Sequence, residues 1–170
     1  MRTSKILQKD IAITGMMIAL VFLGTFYFKI PTAFGYTHLG DCMIILATCL
    51  LGTKKGAVAG AFGAGLADLV GGYTAWVFPT MMFKAAWVLV MGLVAFKLLR
   101  KFRYNLWLGA IAGGLIHIAL YTLIKIPMFG VSYAFATLFT LSLQTLSGIV
   151  LGNIIFGMVK NKVSSLIAEY

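Results

Sequence analysis

The sequence predicts an all-α integral membrane protein with six transmembrane helices and both termini in the cytoplasm. Composition is the first observation behind this prediction, because 61% of the 170 residues are hydrophobic and 11% are charged, whereas soluble domains carry about 25% charged residues. The mean hydropathy of +1.00 agrees with this class. The second observation is that the apolar residues form six runs separated by short turns. We expect residues 1–170 to form a single membrane domain.

The six predicted spans differ in length. Crossing the hydrocarbon core takes about 20 helical residues, and the second and third runs are shorter than this. The turn GTKKG joins these two runs, and the loops PTAFGYTH and GGYTAWVFP flank them. Gly56, Gly60 and Ala64 recur at four-residue spacing, which lets neighbouring helices approach closely. The predicted spans are residues 11–28, 38–51, 57–70, 80–99, 106–125 and 133–159.

Lys and Arg residues are distributed unequally between the two sides of the predicted bundle. Of the 14, all but Lys29, Lys84 and Lys125 lie in the terminal segments and in the turns after the second and fourth spans. Because cytoplasmic loops retain Lys and Arg, both termini are predicted to be cytoplasmic. We expect Lys29 and Lys125, on the outer side, to snorkel to the surface. The same bias accounts for the formal net charge of +10 without a nucleic-acid partner.

Ionisable and polar residues of the predicted spans concentrate at their outer ends. A charged side chain in the membrane costs at least about 2.5 kcal/mol and usually has a functional or pairing role. Aromatic residues lie at the same level, and such a lining suits a ring-shaped solute. We therefore predict an outward-facing pocket for a small molecule. The polar candidates are His38, Asp41, Asp68, Lys84, His117, Tyr121 and Gln144, and the aromatic candidates are Tyr36, Tyr73, Trp76, Phe78, Phe83 and Trp87.

Each of these residues also has a structural interpretation. Asp68 and Lys84 can form an ion pair that joins the third and fourth spans, in which case neither contacts a ligand. Asp41 can cap its helix or pair locally. The remaining alternatives are a buried structural histidine for His117, an interhelical hydrogen bond for Gln144 and the interfacial aromatic belt for Tyr73 and Trp76.

Motifs for catalysis or energy conversion are missing from the sequence. The GTKKG turn lacks the spacing and the hydroxyl of an ATP-binding P-loop, and neither a nucleophile elbow nor a zinc-binding helix motif occurs. The two His and two Cys residues are too scattered for a metal site. We expect no enzymatic activity, no metal and no cofactor, with energy supplied by a partner protein. The alternative is an independent proton-coupled carrier that uses Asp41, Asp68 and His117.

Two stretches resemble one family of membrane proteins. They are the first helix, IAITGMMIALVF, and the stretch YTHLGDCMIILATCLLGTKKGAVAGAFGAGLADLVGGY, in which HLGD and LADLVGGY are the most specific elements. On these residues the chain resembles the substrate-binding S components of energy-coupling factor (ECF) vitamin transporters, in the riboflavin-type or uncharacterised branch. The resemblance implies a multi-pass protein of the bacterial cytoplasmic membrane. It also implies a transmembrane T component and two cytoplasmic ATPases as partners in an ABC-type importer.

The resemblance further implies roles for individual residues. Ala12, Gly15, Met16 and Ala19 match the small-residue face of the family's first helix, which contacts the T component. The positions that correspond to the family's substrate site are Tyr36, Trp76, Lys84, Trp87, His117, Tyr121 and Gln144, to which the predicted pocket adds His38 and Asp41. Aromatic rings together with Lys84, Asp41 and His117 favour a small heteroaromatic vitamin or precursor, such as pyridoxine or hydroxymethylpyrimidine. Riboflavin is the alternative substrate.

Overall fold

A computed structural model describes residues 2–32 and 35–168 of the protein, and it describes side chains for residues 8–32 and 36–162. This part of the chain consists of five long helices, one short helix and a β-hairpin. In chain order the elements are α1 (Arg2–Phe26), β1 (Lys29–Thr32), β2 (Gly35–His38), α2 (Gly40–Val70), α3 (Thr74–Gly92), α4 (Asn105–Phe129), α5 (Val131–Ala136) and α6 (Leu138–Ala168). The end of α3 continues as a π-helical segment, Leu93–Leu98. Within the described residues, the five long helices are each long and apolar enough to cross a membrane.

α2 folds back on itself at Gly52. This residue has φ 80° and ψ 175°, a conformation that favours glycine and interrupts the helix. Gly56 packs against Thr48 and Gly60 against Ile44, so the two arms of α2 run antiparallel in close contact. The arms correspond to the predicted second and third spans. Because five helices rather than six reach spanning length, the number of membrane crossings and the side of the termini stay predictions.

Two predicted loops contain regular structure. The segment after α1 is an antiparallel β-hairpin in which Lys29 pairs with His38 and Pro31 with Tyr36. Proline is tolerated there because both strands of a two-stranded sheet are edge strands. α3 begins at Thr74, so most of the predicted loop GGYTAWVFP is helical, and the proline that ends this loop removes only one helical hydrogen bond. The predicted sixth span is divided between α5 and α6.

The bundle is apolar in its middle and polar toward one end. α2 packs against α1, α3 and α6, and α4 packs against α3 and α6. Where α2, α3, α4 and α6 meet, the buried apolar cluster consists of Ile45, Trp87, Met91, Ala110 and Ile149. The β-hairpin lies at one end of the bundle, and the basic turns near Gly52 and Arg100 lie at the other end. The polar residues predicted to line a pocket lie toward the hairpin end.

Candidate ligand-binding site

A cavity of ≈ 180 Å³ opens at the hairpin end of the bundle. Each of the five long helices contributes to its wall, as does strand β2. The wall combines aromatic rings, hydroxyls, one carboxylate and one ammonium group. Its residues are Thr25, Tyr36, His38, Asp68, Tyr73, Trp76, Thr80, Tyr121, Lys125, Tyr133, Leu141 and Gln144.

The predicted site residues divide into two groups in the structure. Those on the cavity wall are Tyr36, His38, Trp76, Tyr121 and Gln144, together with Asp68, for which a structural role was the alternative. The other four, Asp41, Lys84, Trp87 and His117, are buried beneath the cavity rather than on its wall. In the structure these four residues contact one another, and their contact with a ligand stays a prediction.

The buried polar residues form one connected group, which we call the floor cluster: Asp41, Lys84, His117, Gln144 and Thr145. Lys84 Nζ is 2.5 Å from Asp41 Oδ1 and 2.9 Å from His117 Nε2. Gln144 Nε2 donates to the second carboxylate oxygen of Asp41 at 2.9 Å. A buried ion pair is stable only when its remaining polar atoms are also bonded, and in this cluster both carboxylate oxygens accept a hydrogen bond.

The hydrogen bonds of the floor cluster determine the tautomer of His117. An ammonium group can only donate, so His117 Nε2 accepts from Lys84 and the ring proton lies on Nδ1. That N–H faces Thr145 Oγ1 at 3.1 Å, and the Thr145 hydroxyl in turn donates to the Leu141 carbonyl at 2.9 Å. The chain of donors runs in one direction from the ammonium group to a backbone acceptor.

Aromatic rings cover His117 of the floor cluster, whereas Gln144 of the same cluster reaches the cavity wall. Trp87 stacks on the His117 ring with centroids 4.5 Å apart, and Tyr121 meets the same ring edge-on at 4.8 Å. The Tyr121 hydroxyl donates to Thr80 Oγ1 at 2.8 Å, on the cavity side. Lys84 Nζ also lies 5.3 Å from the centroid of Trp87, within the range of a cation–π contact. Tyr121 therefore covers the His117 ring and is also part of the cavity wall.

The alternative ion pair between Asp68 and Lys84 does not form. Asp41 in the first turn of α2 takes the ammonium group of Lys84, whereas Asp68 near the end of α2 accepts the Tyr36 hydroxyl at 2.9 Å. The β-hairpin is the reason, because it carries Tyr36 over the end of α2. Burial and the Asp68 carboxylate raise the pKa of Tyr36 above its usual value, so the phenol stays a donor.

The two outer lysines do not simply snorkel. Lys29 Nζ lies 4.8, 4.6 and 5.1 Å from the ring centroids of Phe26, Tyr36 and Tyr73, respectively. Lys125 lines the cavity, where its ammonium group donates to Thr137 Oγ1 at 2.9 Å. The sequence contains a signal for this position, because 117, 121 and 125 share one helix face at four-residue spacing. The other wall residues that were not predicted from the sequence are Thr25, Thr80, Tyr133 and Leu141.

His38 connects the β-hairpin to the cavity and to the floor cluster. Gly40 N–H donates to His38 Nδ1 at 3.2 Å, and Gln144 Nε2 lies 3.3 Å from His38 Nε2. Thr37 Oγ1 donates to Gln144 Oε1 at 3.1 Å. Burial lowers the pKa of His38 to about 4; Asp41 opposes this shift, while Lys84 and Lys29 add to it. His38 is therefore neutral at physiological pH.

The low pKa of His38 predicts a loss of stability in mild acid. Between pH 6.5 and about 4 the unfolded chain binds a proton at this residue that the folded protein does not, so stability falls as pH falls through this window, by up to about 3 kcal/mol. Melting temperatures of the purified protein at pH 7.5, 6 and 4.5 measure the effect. His38→Gln keeps a polar side chain and should flatten the profile; an unchanged slope in this variant would assign the acid sensitivity to other groups.

Comparison with known proteins identifies the family. The model of the family described as ECF-type riboflavin transporter, S component, matches residues 5–163. The chain belongs to this family. A relative from Pyrococcus woesei, described as an uncharacterized protein in the gap 3' region, is 28% identical over 138 residues, which cover 81% of this chain and 91% of the relative. ECF S components bind a vitamin and work with a T component and ATPases, so this S component belongs to a transporter family and not to an enzyme family.

Proposed function

We propose that this S component captures a small heteroaromatic vitamin or vitamin precursor from outside the cell and delivers it inward with a T component and two ATPases. The cavity carries this proposal. It combines aromatic and polar groups at one end of the bundle, opposite the basic turns, and the floor cluster closes it below. With the basic turns in the cytoplasm, the cavity faces outward, the chain crosses a bacterial cytoplasmic membrane six times, and both termini are inside.

The size of the cavity favours a single-ring substrate. At ≈ 180 Å³ it is smaller than the roughly 300–1,000 Å³ of pockets that enclose drug-sized ligands. Pyridoxine and hydroxymethylpyrimidine are of this small class. Trp76 stacks on Tyr121 with centroids 5.8 Å apart and on Phe129 at 6.1 Å, so protein rings already fill part of the space beside the cavity.

Riboflavin is the second candidate substrate. The description of the matched family favours it, and so does the aromatic wall. Its three-ring system would require the cavity to enlarge, for which the stacked rings of Trp76 and Phe129 would have to separate. Binding of riboflavin in competition with pyridoxine and hydroxymethylpyrimidine distinguishes the candidates.

Reconstitution tests the proposed function. The S component is placed in vesicles with and without a T component and its ATPases, and uptake of radiolabelled pyridoxine, hydroxymethylpyrimidine and riboflavin is measured. We expect ATP-dependent uptake of one vitamin by the complete complex and none when the T component is omitted. Uptake at an undiminished rate by the S component alone, abolished by an uncoupler, would instead establish a proton-coupled carrier.

The exposed small residues of α1 are the proposed contact with the T component. Ala12, Gly15, Met16 and Ala19 are all exposed, and a Cβ added at Gly15 would meet nothing within 4 Å. Ala19→Trp should therefore reduce co-purification with the T component about tenfold, the effect of losing a well-packed interface residue. Ala119→Trp, at an exposed alanine of α4, is the control. Equal loss in both variants, or loss of ligand binding, would argue against this interface.

A further inference from the structure

Two opposite charges line the cavity without neutralising each other. Asp68 on α2 accepts the Tyr36 hydroxyl, and Lys125 on α4 donates to Thr137. The ion pairs formed by the described residues involve neither Asp68 nor Lys125. The carboxylate is on α2 and the ammonium group is on α4, so the two charges approach the cavity from different helices. A buried charge requires a countercharge or several hydrogen bonds. The buried Asp68 accepts from the hydroxyls of Tyr36 and Thr80, and the half-buried Lys125 donates to one hydroxyl, so neither group has an ion-pair partner among the described residues.

Two donors of the residues that line the cavity lack an acceptor among the described residues, the His38 ring N–H and the buried Thr25 hydroxyl. Gly40 N–H donates to His38 Nδ1, so the neutral ring carries its proton on Nε2. Gln144 Nε2, 3.3 Å from that atom, is a donor as well, and two donors do not satisfy each other. Thr25 is 2% exposed, and within the described part of the chain its hydroxyl has no hydrogen-bond partner. An acceptor on a ligand would satisfy the His38 ring N–H.

We infer that the ligand is a net-neutral but dipolar ring of the 3-hydroxypyridine type, whose oxyanion meets Lys125 and whose ring N–H⁺ meets Asp68. This inference rests on the proposed function and specifies its substrate. A 3-hydroxypyridine can move its hydroxyl proton to its own ring nitrogen, so one small ring carries both charges. Both contacts are then charge-assisted hydrogen bonds. A hydroxymethyl oxygen on the same ring can accept from His38.

The charges around the cavity argue against two related classes of ligand, phosphorylated rings and rings without an acidic hydroxyl. The charges of Asp68 and Lys125 on the wall sum to zero, and Lys29 beside Tyr36 and Tyr73 adds one positive charge nearby. A phosphorylated ring would bring about two negative charges, which these groups do not offset. A pyrimidine without an acidic hydroxyl places no anion against Lys125. The inference therefore separates pyridoxine from its phosphate ester and from hydroxymethylpyrimidine.

Binding measurements on the full chain in lipid nanodiscs test the inference. The probes are pyridoxine and its 3-deoxy analogue, in which hydrogen replaces the ring hydroxyl. The variants are Lys125→Met and Asp68→Asn, with Lys125→Arg as the charge-retaining variant. Lys54→Met makes the same charge change at an exposed residue on the opposite end of the bundle and is the matched control. The melting temperature of each variant is recorded in parallel.

We expect wild-type protein to bind pyridoxine at least about tenfold more tightly than the 3-deoxy analogue, because a charge-assisted bond is worth about 1.5–3 kcal/mol. Lys125→Met and Asp68→Asn should each remove most of this preference, whereas Lys125→Arg and Lys54→Met should retain it. Equal binding of the two probes, or an unchanged preference in Lys125→Met, would overturn the inference. Tight binding and import of riboflavin or hydroxymethylpyrimidine in place of pyridoxine would also overturn the inference, but the proposed function of vitamin import would stand. Import of none of the three vitamins by the complete complex would contradict the proposed function itself.

Discussion

Lys84→Met is expected to lower the free energy of unfolding by about 3–5 kcal/mol, because it leaves a buried carboxylate without its cation. Asp41 is 0% exposed and Lys84 1%, so water cannot replace the lost ammonium group. The pair joins α2 to α3, and through His117 it reaches α4. Thermal unfolding in detergent measures the loss. Lys84 does not line the cavity, so ligand affinity below the melting temperature should fall less than it does in Lys125→Met.

Two further variants make this prediction specific. Lys55→Met breaks the other ion pair of the described residues, Lys55–Asp10, at 2.7 Å and with side chains 37% and 44% exposed. Exposed pairs contribute at most about 1 kcal/mol, so this variant should melt close to wild type. Combining Lys84→Met with Asp41→Asn removes both buried charges and should recover part of the stability. A Lys84→Met protein as stable as Lys55→Met would contradict the buried pair.

Gly148→Ala is expected to destabilise the protein by about 1–3 kcal/mol, the cost of overpacking a close helix contact. A Cβ at this position of α6 would lie 2.6 Å from Asp41 Cβ and 3.3 Å from its backbone carbonyl carbon, so either the helix or Asp41 must move. Gly157, on the same helix, has nothing within 4 Å of its Cβ position. Gly157→Ala should therefore be neutral or stabilising by up to about 1 kcal/mol, from helix propensity.

The comparison of these two alanine variants isolates the contact between α6 and α2. Both make the same chemical change in the same helix, and thermal unfolding reports the difference between them. Because Gln144 bonds to Asp41 and also lines the cavity, Gly148→Ala should weaken ligand binding as well. Equal melting temperatures for the two variants would show that α6 is free to shift away from Asp41.

The approximate helix positions follow from the sequence because the length of a hydrophobic run is a property of a single segment. The family follows from short motifs such as HLGD and LADLVGGY. Which charged residues pair with each other does not follow from single segments. Asp41 and Asp68 both lie at the outer end of predicted spans, so depth alone cannot decide which of them meets Lys84. The β-hairpin decides it by bringing Tyr36 to Asp68, and the loop PTAFGYTH carries Pro and Gly residues that conceal the strands. Which carboxylate faces the ligand is therefore a tertiary property.

Lys125 illustrates a second kind of limit. A lysine near the end of an apolar run usually extends to the membrane surface. The apolar residues next to Lys125 in the sequence do not indicate a different position for its side chain. Its position on one face with His117 and Tyr121 becomes informative only when α5 and the start of α6 close over that face and supply Thr137. Four-residue spacing from His117 and Tyr121 therefore makes Lys125 a candidate, and the tertiary structure decides that it lines the cavity.

The floor cluster has a consequence for how a ligand leaves. Four helices contribute to the cluster, and the apolar residues Ile45, Met91 and Ile149 lie in the core where these helices meet. A passage straight through the bundle would separate buried charges, at a cost of about 3–5 kcal/mol for the ion pair alone. We therefore expect a ligand to leave through the open end of the cavity, by which it entered. Under the proposed function, delivery into the cytoplasm then requires this end to change sides of the membrane, and we expect the partner proteins to drive that movement.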